Sequence, residues 1–192
     1  MPVETDAETP NPAAPRIRRA PALVAMIEWG LLIAAAILTA LLIRTFVLQA
    51  FWIPSPSMTP TLEINDRVVI DKVSYRFHDP HRGDIVVFRA PPKSDLANAD
   101  LIKRVVGLPG DRIEAHDNRL YVNGKALREP YLAPGTRNIG FLPITVPAGS
   151  YWLMGDNRPN SNDSRKFGAV RRRDIVGRAM IRIWPLSRLA KL

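Results

Sequence analysis

Ser55, Ser57, Lys103 and the polar stretch from Gly155 to Arg165 are the residues whose types could carry a reaction in this chain of 192 residues. There is no cysteine, which removes thiol catalysis, disulfides and thiolate metal sites together. The three histidines, His78, His81 and His116, lie in polar, turn-like sequence, where scattered surface residues are the ordinary outcome, and no metal site is expected. Nucleophilic catalysis must then rest on serine or threonine with lysine, or be absent. Lysine is a base only when neutral, and its unperturbed pKa is about 10.4, so a site that uses it must take it out of water. Lys103 is placed for this. If residues 101–106 form a strand, Leu101, Lys103 and Val105 share one face and Arg104 points to the other, where it can reach water. Most strand lysines are nevertheless surface residues whose stems lie along apolar neighbours.

Ser55 and Ser57 sit in Ile53–Leu62, IPSPSMTPTL. Prolines at 54, 56 and 60 stiffen this segment and remove backbone donors. By composition it also reads as a proline-rich linker. Gly155–Arg165, GDNRPNSNDSR, is a dense polar loop that also reads as a surface turn.

The elements that must position these residues follow from periodicity and turn signals. Short apolar runs recur at Arg67–Lys72, Asp84–Phe88, Leu101–Val106, Arg112–Ala115, Leu120–Val122, Ser150–Met154 and Ala179–Trp184. Turn sequences separate them, which predicts an all-β domain. Asn123-Gly124 is a two-residue hairpin signal. Eighteen prolines and eleven glycines also favour short strands over a helical bundle. No internal repeat is present.

The N-terminal part differs. Residues 1–15 carry acids, alanine and prolines and read as a disordered tail. Arg16, Arg18 and Arg19 follow, and then Ala22–Ile43, whose only charge is Glu28. A helix rising about 1.5 Å per residue needs roughly 20 residues to cross the hydrocarbon core. The stretch therefore reads as a transmembrane helix over 22–44, with a cleaved signal peptide or a buried core helix as the alternatives. The arginines before it orient the N-terminus to the cytoplasm. The organisation expected is a cytoplasmic tail at 1–21, one transmembrane helix at 22–44, and an extracytoplasmic β-rich catalytic domain at 45–192. A small second β-subdomain is expected at about 110–150.

The net charge of +9 suggests an anionic neighbour. The one tight basic cluster, Arg171-Arg172-Arg173, has no interleaved aromatics, which argues against a single-strand nucleic-acid platform. A solvated basic face near lipid headgroups fits better.

Taken together, these segments resemble the bacterial type I signal peptidase family. Pro54–Leu62 is similar to its serine box, Arg82–Phe88 to its R-G-D-I-V-V-F strand start, Lys103–Asp111 to its lysine box, and Gly155–Arg165 to its last box. All four occur in the family's order after an apolar span, and Arg44–Val47 is also similar. The likeness covers roughly residues 22–185.

The resemblance implies a mainly β fold and a membrane-bound serine endopeptidase of the Ser–Lys type, single-pass in the bacterial plasma membrane. It would cut signal peptides from exported preproteins. Ser57 would be the nucleophile and Lys103 the general base. The Ser55 hydroxyl and the Ser57 N–H would form the oxyanion hole, and Ser161 would orient the amine. Asp163 and Arg165 would pair and brace the loop, with Asp156 in support. Phe51, Ile53, Met58, Leu62, Leu101 and Ile102 would line pockets for small residues at −1 and −3. The partners implied are signal peptides and membrane lipid, with no nucleic acid and no cofactor, in a monomeric protein.

Pro56 and Pro159 depart from the family, which often has glycine and aspartate there. Only 51 residues separate Lys103 from Gly155, so the second subdomain must be small. Self-cleaving repressors share a similar β-fold and dyad but carry a DNA-binding domain instead of a span. A β-domain that binds partners without turnover is the reading from another class; intact Ser57, Lys103 and Ser161 argue against it.

Overall fold

A computed structural model describes residues 20–42, 48–92, 94 and 99–192. The expected tail, the orienting Arg16, Arg18 and Arg19, and Arg44–Val47 lie outside the described residues. The chain divides at Leu41–Leu42 into two units.

The first unit contains helix α1, Ala20–Leu42. Its segment Ala22–Leu42 has a mean hydropathy of 2.1 and is nowhere buried within the protein. By length and composition this helix is apolar enough to cross a membrane. A span of about 30 Å follows from its length.

The second unit is mostly β. Strands β1 (Leu48–Trp52), β2 (Arg67–Asp71), β3 (Ile85–Arg89), β4 (Asp100–Gly107), β9 (Ser150–Met154), β10 (Val170–Arg171), β11 (Ile175–Trp184) and β12 (Ala190–Lys191) form one sheet. Its order is β1-β2-β11-β3-β4-β9-β10, with β12 paired to β11. A smaller sheet, order β7-β6-β5-β8, contains β5 (Arg112–His116), β6 (Arg119–Val122), β7 (Lys125–Ala126) and β8 (Phe141–Thr145). The hairpin between β6 and β7 turns at Asn123 and Gly124, both with positive φ, as a primed two-residue turn requires. A two-turn-length helix is absent from this unit among the described residues; α2, Ser164–Phe167, is one turn long.

All seven sequence-predicted runs are strands, with ends shifted by a residue or so; β11 starts earlier, at Ile175 rather than Ala179. β1, β8, β10 and β12 carry no comparable sequence signal. β10 and β12 are two residues long. β8 contains Pro143, which is tolerated because this strand lies at a sheet edge.

The main sheet is covered on both faces, so β3 is buried at four consecutive residues. Ile85 and Val87 join one cluster with Ile53, Met58, Leu62, Val68, Ile70 and Ile102. Val86 and Phe88 join the other with Val105, Tyr151 and Leu153. A third cluster, including Val106, Ile113, Leu120, Trp152 and Met154, seats the small sheet against the ends of β4 and β9. These clusters hold β4 rigidly between two cores, and Lys103 and Arg104 lie in its middle.

Candidate active site

Ser57 is the centre of a 3₁₀ turn, Pro56–Met58. The Thr59 N–H donates to Pro56 O at 3.1 Å and the Leu62 N–H to Met58 O at 2.9 Å. Pro56 occupies the start of this turn, where φ near −65° is suitable and the missing N–H is no loss. The departure from glycine is therefore compatible with the local backbone. The ends of the segment are closed by Ile53 N–H to Asp66 O at 3.0 Å and Asn65 N–H to Ile53 O at 2.9 Å.

β4 brings Lys103 to this turn, opposite Val86 of β3. Its Nζ lies 2.7 Å from Ser57 Oγ and donates to Ile102 O at 2.8 Å. Lys103 is only 3% exposed. Burial pushes its pKa down to about 8 from 10.5, while the charges of Asp163 and Asp156 push it up without cancelling that effect. A neutral amine is thus accessible close to neutral pH. Ser55 Oγ lies 3.2 Å from Ser57 Oγ, so both hydroxyls and the amine share one spot.

The polar loop closes the site from behind. A Cβ on Gly155 would lie 2.4 Å from Ser57 O and 2.3 Å from Ser161 Oγ, so only glycine lets the loop and the serine turn approach this closely. The Asn157 N–H donates to Ser57 O at 3.1 Å and its Nδ2 to Pro56 O at 3.1 Å. Asp163 caps α2 and accepts from the Gly155 N–H at 3.0 Å. Arg165 donates to both Asp163 oxygens, at 2.8 and 2.7 Å. Burial alone would raise the Asp163 pKa; the Arg165 bonds and charge and the Gly155 N–H outweigh it, so the carboxyl is held below its usual range. Pro159 is exposed.

Three expectations need correction. Arg104 does not reach water; it is 8% exposed, because the face of β4 opposite Lys103 is also covered. Its guanidinium meets Asp156 at 2.8 and 2.6 Å, donates to Gly83 O at 2.8 Å, and lies 3.9 Å over the Tyr131 ring. Met58 and Leu62 line no pocket wall. Both are fully buried in the cluster beneath the serine turn, because their side chains point into the core and fix the turn from below. Ser161 is buried, but its Oγ has no hydrogen-bond partner and does not bond the Lys103 amine; it lies near enough to Asp163 to favour the carboxylate form.

Phe51, Ile53, Leu101 and Ile102 do line a groove that runs past Ser55 and Lys103. Trp52, Pro54, Val87 and Asp100 complete its wall, and its volume is ≈ 50 Å³. Asp156 accepts from Thr61 Oγ1 at 2.5 Å. Thr61, Arg104, Asn157 and Arg158 were not singled out by their sequence. Arg104 carried one signal: it sits next to Lys103 in a strand long enough to be covered on both sides. Among the described residues, no group of three or more His, Asp or Glu side chains is placed to hold a metal ion.

Residues 26–184 match the family model described as signal peptidase, peptidase S26. The chain is 43% identical over 199 residues to a signal peptidase I of Leptolyngbya laminosa, covering 100% of this chain and 97% of the relative. It is 46% identical over 169 residues to a probable signal peptidase I-2 of Synechocystis sp., covering 86% of this chain and 77% of that one. The crystal structure of a signal peptidase I from Enterococcus faecalis V583 is similar at 33% identity and a TM-score of 0.47, over 54% of this chain and 98% of the other. The chain belongs to the signal peptidase, peptidase S26, family of serine endopeptidases.

Proposed function

We propose that this protein removes N-terminal signal peptides from exported preproteins, with Ser57 as nucleophile and Lys103 as general base. The observation that carries the reading is the 2.7 Å approach of Lys103 Nζ to Ser57 Oγ inside a site that strips the amine of water. The neutral amine takes the Ser57 proton as Oγ attacks the scissile carbonyl carbon. The negative charge that develops on the carbonyl oxygen is met by the Ser57 N–H and the Ser55 hydroxyl. The Lys103 ammonium then protonates the departing amine of the mature protein, leaving an acyl-enzyme on Ser57. Water attacks that ester, giving a proton to Lys103, which returns it to the departing Ser57 Oγ, and the signal peptide leaves with a new carboxylate.

The groove beside Ser55 and Lys103, lined by Phe51, Ile53, Leu101 and Ile102, takes the small residues before the cut. Helix α1 tethers the enzyme in the bilayer that holds the substrate's apolar core, which raises effective concentration. The arginine bias before α1 puts the N-terminus in the cytoplasm and residues 45–192 outside it. Ser161 acts on the amine through Asp163 and the packing at Gly155 rather than by a direct bond in the free enzyme. The test is cleavage of a preprotein by the full-length enzyme in detergent or vesicles. Ser57→Ala abolishes cleavage and leaves cooperative unfolding intact; retained activity in Ser57→Ala with loss in Ser55→Ala would reverse the assignment.

A further inference from the structure

The loop that follows β7 belongs to the small sheet, yet two of its side chains reach the groups that hold the catalytic loop. Glu129 forms a buried ion pair with Arg158, through Nη1 at 3.1 Å and also through Nη2. The side-chain exposures are 0% for Arg158 and 6% for Glu129. The Arg158 Nε donates to Gly155 O at 3.0 Å, the residue whose close approach to Ser57 O leaves no room for a Cβ. Asn138 also accepts from Arg158 Nη1. Arg158 O in turn accepts from Arg165 Nη2 at 2.7 Å, and Arg165 holds Asp163. Two residues along the loop, the Tyr131 ring covers the Arg104 guanidinium, and the Tyr131 hydroxyl donates to Glu129 Oε1 at 2.8 Å. Arg104 grips Asp156 with two hydrogen bonds.

We infer that Glu129 and Tyr131 are positioning residues for the Ser57–Lys103 site, acting through Arg158 on Gly155 and through Arg104 on Asp156. The inference rests on the proposed Ser–Lys reading and extends it to the small sheet. The chemistry is that of two cations bonded to one three-residue segment, Gly155–Asn157. A guanidinium presents a fixed fork of donors, so whatever orients that fork sets the place of the backbone it grips. Glu129 fixes the fork of Arg158 with two oxygens, and the Tyr131 face fixes the plane of Arg104. Neither residue touches the reacting atoms. A shift of about 1 Å in a catalytic group can cost about 10²-fold in rate, so loss of the brace falls on kcat, with KM set elsewhere, in the groove beside Ser55.

A purely structural ion pair behaves differently from a positioning one when both charges are removed together. Replacing a buried pair by apolar residues of similar volume is often neutral or stabilising. The double substitution E129M/R158M therefore recovers the thermal stability that Glu129→Gln alone loses. It does not recover the rate, because Gly155 O has lost its guanidinium. The experiment measures kcat, KM and Tm for preprotein cleavage by the full-length enzyme carrying Ser57→Ala, Glu129→Gln, E129M/R158M, Tyr131→Leu or Tyr131→Phe.

The expected result is a kcat at least about tenfold below wild type in E129M/R158M and in Tyr131→Leu, with KM within about threefold. Tyr131→Phe, which keeps the ring over Arg104, recovers most of the rate that Tyr131→Leu loses. Return of kcat together with stability in E129M/R158M overturns the role of Glu129. If that variant does not fold, the two Tyr131 variants decide: equal kcat for leucine and wild type overturns the inference. Full activity in Ser57→Ala would instead show that the Ser–Lys reading itself had failed.

Discussion

The two faces of β4 bury neighbouring cations under opposite rules. On one face Lys103 points to Ser57 Oγ and a carbonyl, with no carboxylate in direct contact among its hydrogen-bond partners, and burial pushes its pKa down to about 8. On the other face Arg104 has two bonds to Asp156, a carbonyl, and an aromatic ring. The guanidinium cannot give up its proton in a protein, so the fold must supply a countercharge for it. Lysine can, and the fold gives the amine no carboxylate as a hydrogen-bond partner, leaving only the more distant charges of Asp163 and Asp156. Both cations are buried, at 3% and 8% exposure; the partners decide whether a cation is suited to be a structural clamp or a base. The same strand therefore carries the proposed base and a structural clamp on adjacent residues.

Exchanging the rules on the Lys103 face has the largest effect. Lys103→Arg places a permanent cation beside Ser57 and abolishes preprotein cleavage, read as loss of turnover in a folded enzyme. Lys103→Met is equally inactive but more stable. The sign follows from the lowered pKa: below pH 8 the lysine is protonated in both the folded and unfolded states, and the cost of burying the ammonium is fully present. That cost fades as pH rises between about 8 and 10.5, where the unfolded chain binds the proton and the folded one does not. A shift of this size corresponds to a cost on the order of 3 kcal/mol. Lys103→Met thus raises stability in urea unfolding by about 1–3 kcal/mol at pH 7, and by less at pH 10.

On the opposite face, Asp156→Asn leaves Arg104 buried without its countercharge. Removing one partner of a buried pair costs about 3–5 kcal/mol, visible as a lower denaturant midpoint. If Asp156→Asn and Lys103→Met shifted stability in the same direction, the contrast between the two faces would be wrong. A smaller effect is expected for the hydroxyl next to the dyad. Ser55→Ala lowers kcat by about 10²–10³ with a lesser change in KM, and leaves stability near wild type. An unchanged kcat would remove Ser55 from the oxyanion hole.

How much of this could be read from the sequence depended on what each residue needed. The strand that carries Lys103 followed from its apolar run, and the hairpin from Asn123-Gly124. The Asp163–Arg165 pair lies within one turn of chain and was legible from the motif. Arg104 was not: alternation says which way a side chain points, not whether another layer covers it, and here both faces are covered. Met58 and Leu62 failed for a related reason. The serine segment is a 3₁₀ turn, whose periodicity differs from that of a strand, so spacing alone did not show that these two point into the core. Glu129 and Tyr131 carried no local signal at all. Their partners Arg158 and Arg104 lie 29 and 27 residues away along the chain, and the contacts exist only once the small sheet has packed.

The direct measurement of the base is the pH dependence of kcat/KM for preprotein cleavage, which reports the free enzyme's essential groups. The base must be deprotonated to work, so activity rises with pH through a single limb centred at about 8, and Lys103→Arg shows no activity at any point on the curve. A limb near lysine's ordinary value of about 10.4, or substantial cleavage by Lys103→Arg, would mean that a buried neutral Lys103 does not take the Ser57 proton.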